Sequence, residues 1–445
     1  MSRRDTALRF FLEQTGETAM RVETGIELNR KGNAHIKLTS GSGSLPEGLT
    51  VEIEQVSHEF RFGANLFMLD EFETAEKNRI YREMFPEIFN LATLPFYWND
   101  LEPEEGHPRF AADSPKVYRR PAPDLCVAYC REKGIEPKCH CLNYDSFIPE
   151  WARYRTVREQ KALLDRRFRE IAERYADSIP SFEVTNETLG YAKSAFYYED
   201  DFVEWSFKTA DRYFPKNRLI INDFDIWFPG SIWFPGAFNP RQAYYMQIER
   251  LLRNGTVHLD SIGLQFHSFF PLEKEEEMAG QRYNPETLLR LMDLYSRFGR
   301  AEQITEMTIP AYSGDAEDEE IQAELLRNLY TVFFSHPAME AVIYWNLVDG
   351  YAAYAPQGDM SAGENRYRGG LLRFDMSEKP AYRELRNLIT KTWHTSCVLK
   401  PQGDSLDFRG FYGDYLLTFR WNGGEMTAPY RLSKHAANSP TVSLP

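Results

Sequence analysis

Two glutamates have the surroundings of reacting carboxylates. Glu187 closes the segment FEVTNE, and Glu306 lies within QITEMTIP. Each follows a short run of strand-forming residues. The two are separated by the length of three strand–helix units of roughly forty residues. Carboxylates facing each other across one cleft can cleave a glycosidic bond. One protonates the leaving oxygen, and the other attacks the anomeric carbon when the pair stands ~5–5.5 Å apart. Once the attacking group is charged, a second charge beside it is disfavoured, so Glu187 is expected to hold the proton. A lone carboxylate after a strand is more often an ion-pair partner or a helix cap. The specific signal is the pairing, with Asn186 directly before Glu187. Asn65, His140, Asn222, Asp223, Gln265, His267 and Trp345 also fall at the ends of short apolar runs. His140 lies between Cys139 and Cys141, but side chains alternate along a strand, so these three cannot converge on one metal. The acidic run Asp315–Glu320 reads as a solvated helix start. Neither a metal nor another cofactor is expected.

The elements that must position these residues follow from the apolar pattern. Short strands are predicted at 60–64, 91–94, 138–141, 182–184, 219–222, 262–265, 304–307 and 341–345, with amphipathic helical stretches filling most gaps. Eight strands alternating with helices predict an α/β fold, a (β/α)8 barrel, with catalytic side chains at the C-terminal strand ends. The barrel is assigned to residues 59–394. Residues 1–58 read as an amphipathic helix, with Leu8, Phe11 and Leu12 on one face, followed by strands at AMRVETGIEL, NAHIKLTS and LTVEIEQVSHEF. Residues 395–445 return to strands at SCVLKP, SLDFRGFYGDY, LLTFRWNG and TVSLP. Chain termini often lie close together, so the two ends are expected to form one composite β-sandwich. It is either a brace on the barrel or a carbohydrate-binding module. A repeat, Ile226–Gly230 and Ile232–Gly236 (IWFPG twice), follows the fifth strand. Trp227 and Trp233 either pack on the barrel rim or form an aromatic platform beside the cleft, where ring faces suit sugar C–H surfaces.

Composition narrows the partners. Lys and Arg number 52 against 66 Asp and Glu, a net charge of −14, which repels phosphate backbones and argues against nucleic acid. No run approaches the ~20 apolar residues of a membrane span, so no membrane partner is expected. The start, MSRRDTALRFFLEQTG, lacks the apolar core of an export signal, and five cysteines is an odd count. A cytoplasmic protein with reduced thiols is the expectation. Aromatic residues are 14% of the chain, which suits sugar-stacking surfaces as well as a bulky core.

Across residues 47–392 the chain resembles glycoside hydrolase family 10, the retaining β-1,4-xylanase family. The segments FRFGANLF, WNDLEPEEG, KCHCLNYDSFIPEW, FEVTNE, IINDFD, IGLQFH, ITEMTI and YWNLVDGY resemble that family's eight strand-end motifs in order. The resemblance implies that Glu187 is the acid/base and Glu306 the nucleophile. It further implies that His140, Asn186, Gln265, His267 and Trp345 bind sugar. Departures fall on the polymer-binding positions. An ungapped match places Thr93, Leu94 and Tyr97 where the family clamps the second sugar on the non-reducing side with Glu, Asn and Lys. Tyr144 and Asp145 replace a Trp and a His, Thr308 replaces an Asp that supports His267, and a second Trp after the eighth strand is missing. The expectation is a retaining glycoside hydrolase acting on plant-type β-glycans or oligosaccharides, xylanase-like, with Tyr97 and Tyr144 lining altered subsites. The alternatives are an exo-acting β-glycosidase on a non-xylan substrate and a sugar-binding barrel without turnover.

Overall fold

A computed structural model describes residues 2–190, 192–224, 226–227, 239–253, 255 and 257–445. Two helices, α1 (Arg3–Leu12) and α2 (Gly16–Arg30), precede strands β1 (Lys31–Ser40) and β2 (Thr50–His58). Eight parallel strands then close a barrel: β3 (Arg61–Asn65), β4 (Leu91–Pro95), β5 (Glu136–His140), β6 (Ser181–Asn186), β7 (Arg218–Asp223), β8 (Ser261–His267), β9 (Ala301–Thr308) and β10 (Met339–Tyr344). They pair in sequence order, and β10 returns to β3. The chain finishes with β11 (Ser396–Leu399), β12 (Ser405–Phe411), β13 (Gly413–Trp421), β14 (Gly424–Leu432) and β15 (Thr441–Leu444). The architecture is the (β/α)8 barrel with a flanking β-sandwich.

The sandwich draws on both chain ends. One sheet has the order β12-β1-β15 and the other β11-β2-β13-β14. Alternating residues fill the space between them: Ala34, Ile36 and Leu38 from β1, Val51 and Ile53 from β2, and Leu417 and Phe419 from β13. This is the period-two pattern of sheets with one buried face.

Several elements differ from the expectation. AMRVETGIEL lies within α2, not in a strand. Its even positions are apolar apart from Thr24, but Val22 and Ile26 pack inward while Met20 and Leu28 are exposed. Thr18, Val22, Ile26 and Arg30 recur every four residues, which is one face of a helix. Thr15 caps the start by accepting from Thr18 N. Arg30, on the last turn, donates to Met339 O at 2.8 Å and to Phe334 O and His336 O, joining α2 to the barrel base. In α1, Leu8 and Phe11 are buried, but Leu12 is exposed. SLDFRGFYGDY divides at Tyr412 between two sheets. The unforeseen β14 contains Pro429, which an edge strand tolerates because one side of its backbone is unpaired. Among the described residues, no helix is long and apolar enough to cross a membrane.

Candidate active site

The C-terminal strand ends open into a cavity of ≈ 530 Å³, lined by both glutamates and walled largely by aromatic rings. Register shifts lie beside the site: one in the β6–β7 pairing between Glu183 and Thr185, another in the β8–β9 pairing between Leu264 and Gln265. The second sets Gln265 opposite Glu306. Such bulges re-aim side chains at barrel rims.

Glu306 is 4% exposed, and its hydrogen-bond partners among the described residues are neutral. Its Oε1 accepts from Asn222 Nδ2 and Gln265 Nε2, both at 3.0 Å, and Oε2 lies 3.1 Å from His267 Nε2. Burial pushes the Glu306 carboxyl up to about 8, with Glu187 adding to the shift and His140 opposing it. Burial lowers His267 to about 4, so its ring is neutral at ordinary pH. Its Nδ1 meets Thr308 Oγ1 at 3.0 Å, where a carboxylate would instead favour the cation.

Glu187 sits at φ 49°, a left-handed conformation uncommon for a side chain of this size. Its N–H donates to Asn222 O at 3.1 Å. Asp223 accepts from the N–H and hydroxyl of the next residue, Thr188, at 2.8 and 2.9 Å, so the turn is pinned from the neighbouring strand. Tyr144 donates its hydroxyl to Glu187 Oε2. Gln265 Nε2 also reaches Glu187 Oε1 at 3.1 Å. One amide nitrogen therefore touches both carboxylates, and their Oε1 atoms are no more than ~6 Å apart. For that one oxygen pair the bound is compatible with the ~5–5.5 Å separation of a retaining pair.

Asn222 is fixed from three sides. Its amide reaches Asn186 Oδ1 at 2.7 Å as well as Glu306, and its own Oδ1 accepts from Thr305 at 2.5 Å. Gly263 leaves the space: a Cβ there would stand 2.5 Å from Asn222 Oδ1 and 2.8 Å from Thr305 Cγ2.

The structure brings Glu187, Glu306, Asn186, Gln265, His267, Trp345, Tyr97 and Tyr144 to the cavity wall. His140 lies one layer below it. Its Nε2 faces Tyr97 Oη at 3.1 Å, and its Nδ1 bonds Glu183. Burial disfavours an imidazolium there, but Glu183 outweighs it and the pKa of His140 is raised. Glu183 in turn is held down to about 2, against burial, by Lys138 and His140. Thr93 and Leu94 are inside the barrel wall and reach no ligand space. Trp227 is not a platform. It is 0% exposed, packs on Phe266 and Phe333, and donates to Gln265 O at 2.6 Å. Trp233 and the rest of the repeat lie outside the described residues. Among the described residues, no three His, Cys, Asp or Glu side chains are grouped to hold a metal ion.

Sequence reasoning missed Phe67, Arg119, Arg120 and Glu364 in the cavity wall. The consecutive arginines, flanked by Tyr118 and Pro121 in an acidic chain, were a readable signal. Glu364 lies in the long segment after β10, where no periodicity places it.

A parallel barrel carrying two adjacent carboxylates on its fourth and seventh strands defines a protein of the glycosyl hydrolase class. The chain belongs to Glycosyl hydrolase family 10, whose sequence profile matches residues 64–388. It is 22% identical over 399 residues to anti-sigma-I factor RsgI6 of Acetivibrio thermocellus, covering 87% of this chain and 45% of that protein. It is 23% identical over 398 residues to endo-1,4-beta-xylanase 2 of Arabidopsis thaliana, covering 87% and 32%. The chain thus spans less than half the length of these two relatives. The solved structure of xylanase 10B from Thermotoga petrophila RKU-1, in complex with xylobiose, superposes with a TM-score of 0.58 at 19% identity, covering 75% of this chain and 95% of that one.

Proposed function

We propose that this chain hydrolyses β-glycosidic bonds of plant-type glycans or oligosaccharides with retention at the anomeric carbon. The observation that carries the reading is the Gln265 amide in contact with both carboxylates. Glu306 attacks the anomeric carbon while Glu187 protonates the departing oxygen, giving a glycosyl ester on Glu306. Positive charge developing at the anomeric carbon favours the ionised form of Glu306, against the burial that holds its pKa up. Asn222, Gln265 and His267 position that carboxylate through neutral hydrogen bonds. Among the described residues no cation hydrogen-bonds it. Loss of the Glu306 charge on ester formation lets Glu187 release its proton and act as base toward water. Tyr144 orients Glu187 throughout.

Xylan-type chains with altered binding on the non-reducing side fit the cleft best. Tyr97, Tyr144 and Phe147 pack there as a wall of rings, with Arg120 over Tyr97 at 4.0 Å. Each hydrogen bond missing from the clamp costs roughly 1–3 kcal/mol of binding. Short or aryl-linked β-glycosides should outperform plain xylan. A sugar-binding barrel without turnover is the second reading, favoured by the similarity to a protein named as an anti-sigma factor. The presence of both carboxylates weighs against it. A screen of aryl β-xylosides, aryl β-cellobiosides and plant oligosaccharides, with product anomers read by NMR, tests the proposal. Turnover with a retained first product supports it. An inverted product or binding alone overturns it.

A further inference from the structure

The wall of the cleft carries two adjacent guanidinium groups with one ion pair between them among the described residues, and the Glu364 carboxyl of the same wall favours the Arg119 cation without bonding it. Arg120 pairs with Asp100 at 2.8 Å. Arg119, 4% exposed, forms no ion pair among the described residues. Its Nη1 donates to Tyr351 O and its Nη2 to Asn346 Oδ1 at 2.9 Å, both uncharged acceptors, while its Nε–H meets no acceptor. Glu364 stands on the far side of Asn346, bonding that amide at 3.4 Å rather than Arg119. Buried charges are normally paired because desolvation is costly. Arg167 shows what a structural arginine looks like in this molecule. It is equally buried and donates to the carbonyls of Phe96, Cys141 and Leu142, but it lines no described cavity. Arg119 faces two. It lines the catalytic cavity and also a second depression of ≈ 390 Å³, lined with Arg120 by Asp100, Tyr118 and residues 353–356. The arginine pair, Ala353 and Tyr354 are common to both, so the space at the glutamates continues past the guanidiniums. Arg120 overlies Tyr97, so the continuation lies on the side assigned above to the non-reducing end.

We propose that Arg119 and Arg120 form a subsite for the carboxylate of a uronic acid, carried on the non-reducing side of the glycan that is cleaved between Glu187 and Glu306. A planar guanidinium matches a planar carboxylate in two parallel hydrogen bonds, and the surplus positive charge supplies the attraction. The net charge of −14 does not forbid this, because the repulsion of distant surface charges is screened by salt while the arginines act at contact distance. The subsite rests on the hydrolase reading for its substrate but not for its chemistry.

The test compares two ligands on the full chain. One is an oligosaccharide with a uronic acid on its non-reducing side. The other is the same molecule after reduction of that carboxyl to a hydroxymethyl group. Calorimetry should show the acidic form binding about tenfold tighter or more. Arg119→Met should bring the ratio close to one, and Arg119→Lys should keep part of it. Melting curves report whether each variant folds, and Arg120→Gln serves in place of Arg119→Met if the latter does not. Equal or weaker binding of the acidic form, or a ratio that survives these substitutions, overturns the subsite. Tighter binding of a sulfate ester at the same position would reassign it to sulfated sugars. Acid preference without turnover leaves the subsite standing and refutes the hydrolase reading. Turnover without acid preference does the reverse.

Discussion

Two carboxylates at opposite ends of the barrel, Glu340 with 19% and Glu306 with 5% of the side chain exposed, are treated in opposite ways. At the base, Glu340 on β10 pairs with Arg218, meets Arg61 at 3.3 Å, and accepts from Ser261 and Gln303 at 2.5 and 2.7 Å. Burial works against its charge, but the two arginines outweigh burial, and its pKa is lowered. At the mouth, Glu306 has only amides and a neutral imidazole, and its pKa rises to about 8. The charge of the groups around each carboxylate, together with burial, sets the direction of its shift. A cation locks Glu340 as an anion that stabilises the barrel. Neutral donors hold Glu306 in place and, on the proposed mechanism, leave its charge available to a sugar.

The largest expected effect separates the ends by what each glutamate does. On the proposed mechanism Glu306→Gln should lower turnover by about 10⁴-fold or more, because it removes the proposed nucleophile. Glu340→Gln should leave the folded enzyme active but cost about 1.5–3 kcal/mol of stability, because it removes the charge that the partly exposed Arg218 and Arg61 share. Their pH dependences should run in opposite directions. Glu306 has a folded pKa above its unfolded value of 4.5, so wild-type stability from this group is lost as pH rises from there toward about 8. Over that window Glu306→Gln should gain on the wild type by roughly 1.4 kcal/mol per pH unit at most. Glu340 has a lowered folded pKa, so the deficit of Glu340→Gln should be full at neutral pH and narrow as the solution is acidified. Denaturant melts across pH 4–8 check both. Parallel curves for the two variants would break the comparison.

A smaller effect should come from the support behind Glu306. Gly263→Ala drives a methyl group into Asn222 and Thr305, moving an amide that positions the nucleophile. A shift of about 1 Å should cost kcat roughly 10²-fold while KM changes far less. A fall in KM affinity alone, with kcat intact, would show that Asn222 does not position the carboxylate.

The smallest effect would make the mouth resemble the base. Thr308→Asp places a carboxylate at His267 Nδ1, which should raise the His267 pKa from about 4 to above 6. The resulting cation should lower the Glu306 pKa from about 8. NMR titration of the His267 ring reads the first shift, and the acid limb of the kcat/KM profile reads the second. An unmoved His267 titration would show that Thr308 does not set its charge.

The barrel was legible because parallel strands buried on both faces read as short apolar runs between amphipathic helices. Each predicted barrel strand overlaps an observed one. Glu187 and Glu306 were legible because their motifs end such strands. Less legible was anything that depends on a neighbour in space. The lowered pKa of Glu183 needs Lys138 from the adjacent strand, and Trp227 disappears inward because Phe266 and Phe333 enclose it. Its aromatic repeat carries no sign of which way a ring points. Residues 19–28 misled because apolar residues at every second position also include every fourth, and helix and strand templates both match. Arg119 lies in a long irregular segment and Glu364 in a short 3-10 turn, where no period places a side chain.

The assignment of roles to the two glutamates is tested most directly by azide rescue. On a β-glycoside of dinitrophenol the leaving group departs without protonation, so Glu187→Ala should form the glycosyl ester and then stall. The expected result is a burst of phenolate, a low steady rate, and azide acceleration that yields the β-glycosyl azide. Rescue of Glu187→Ala to the α-azide, or near-normal turnover by Glu306→Ala, would contradict it.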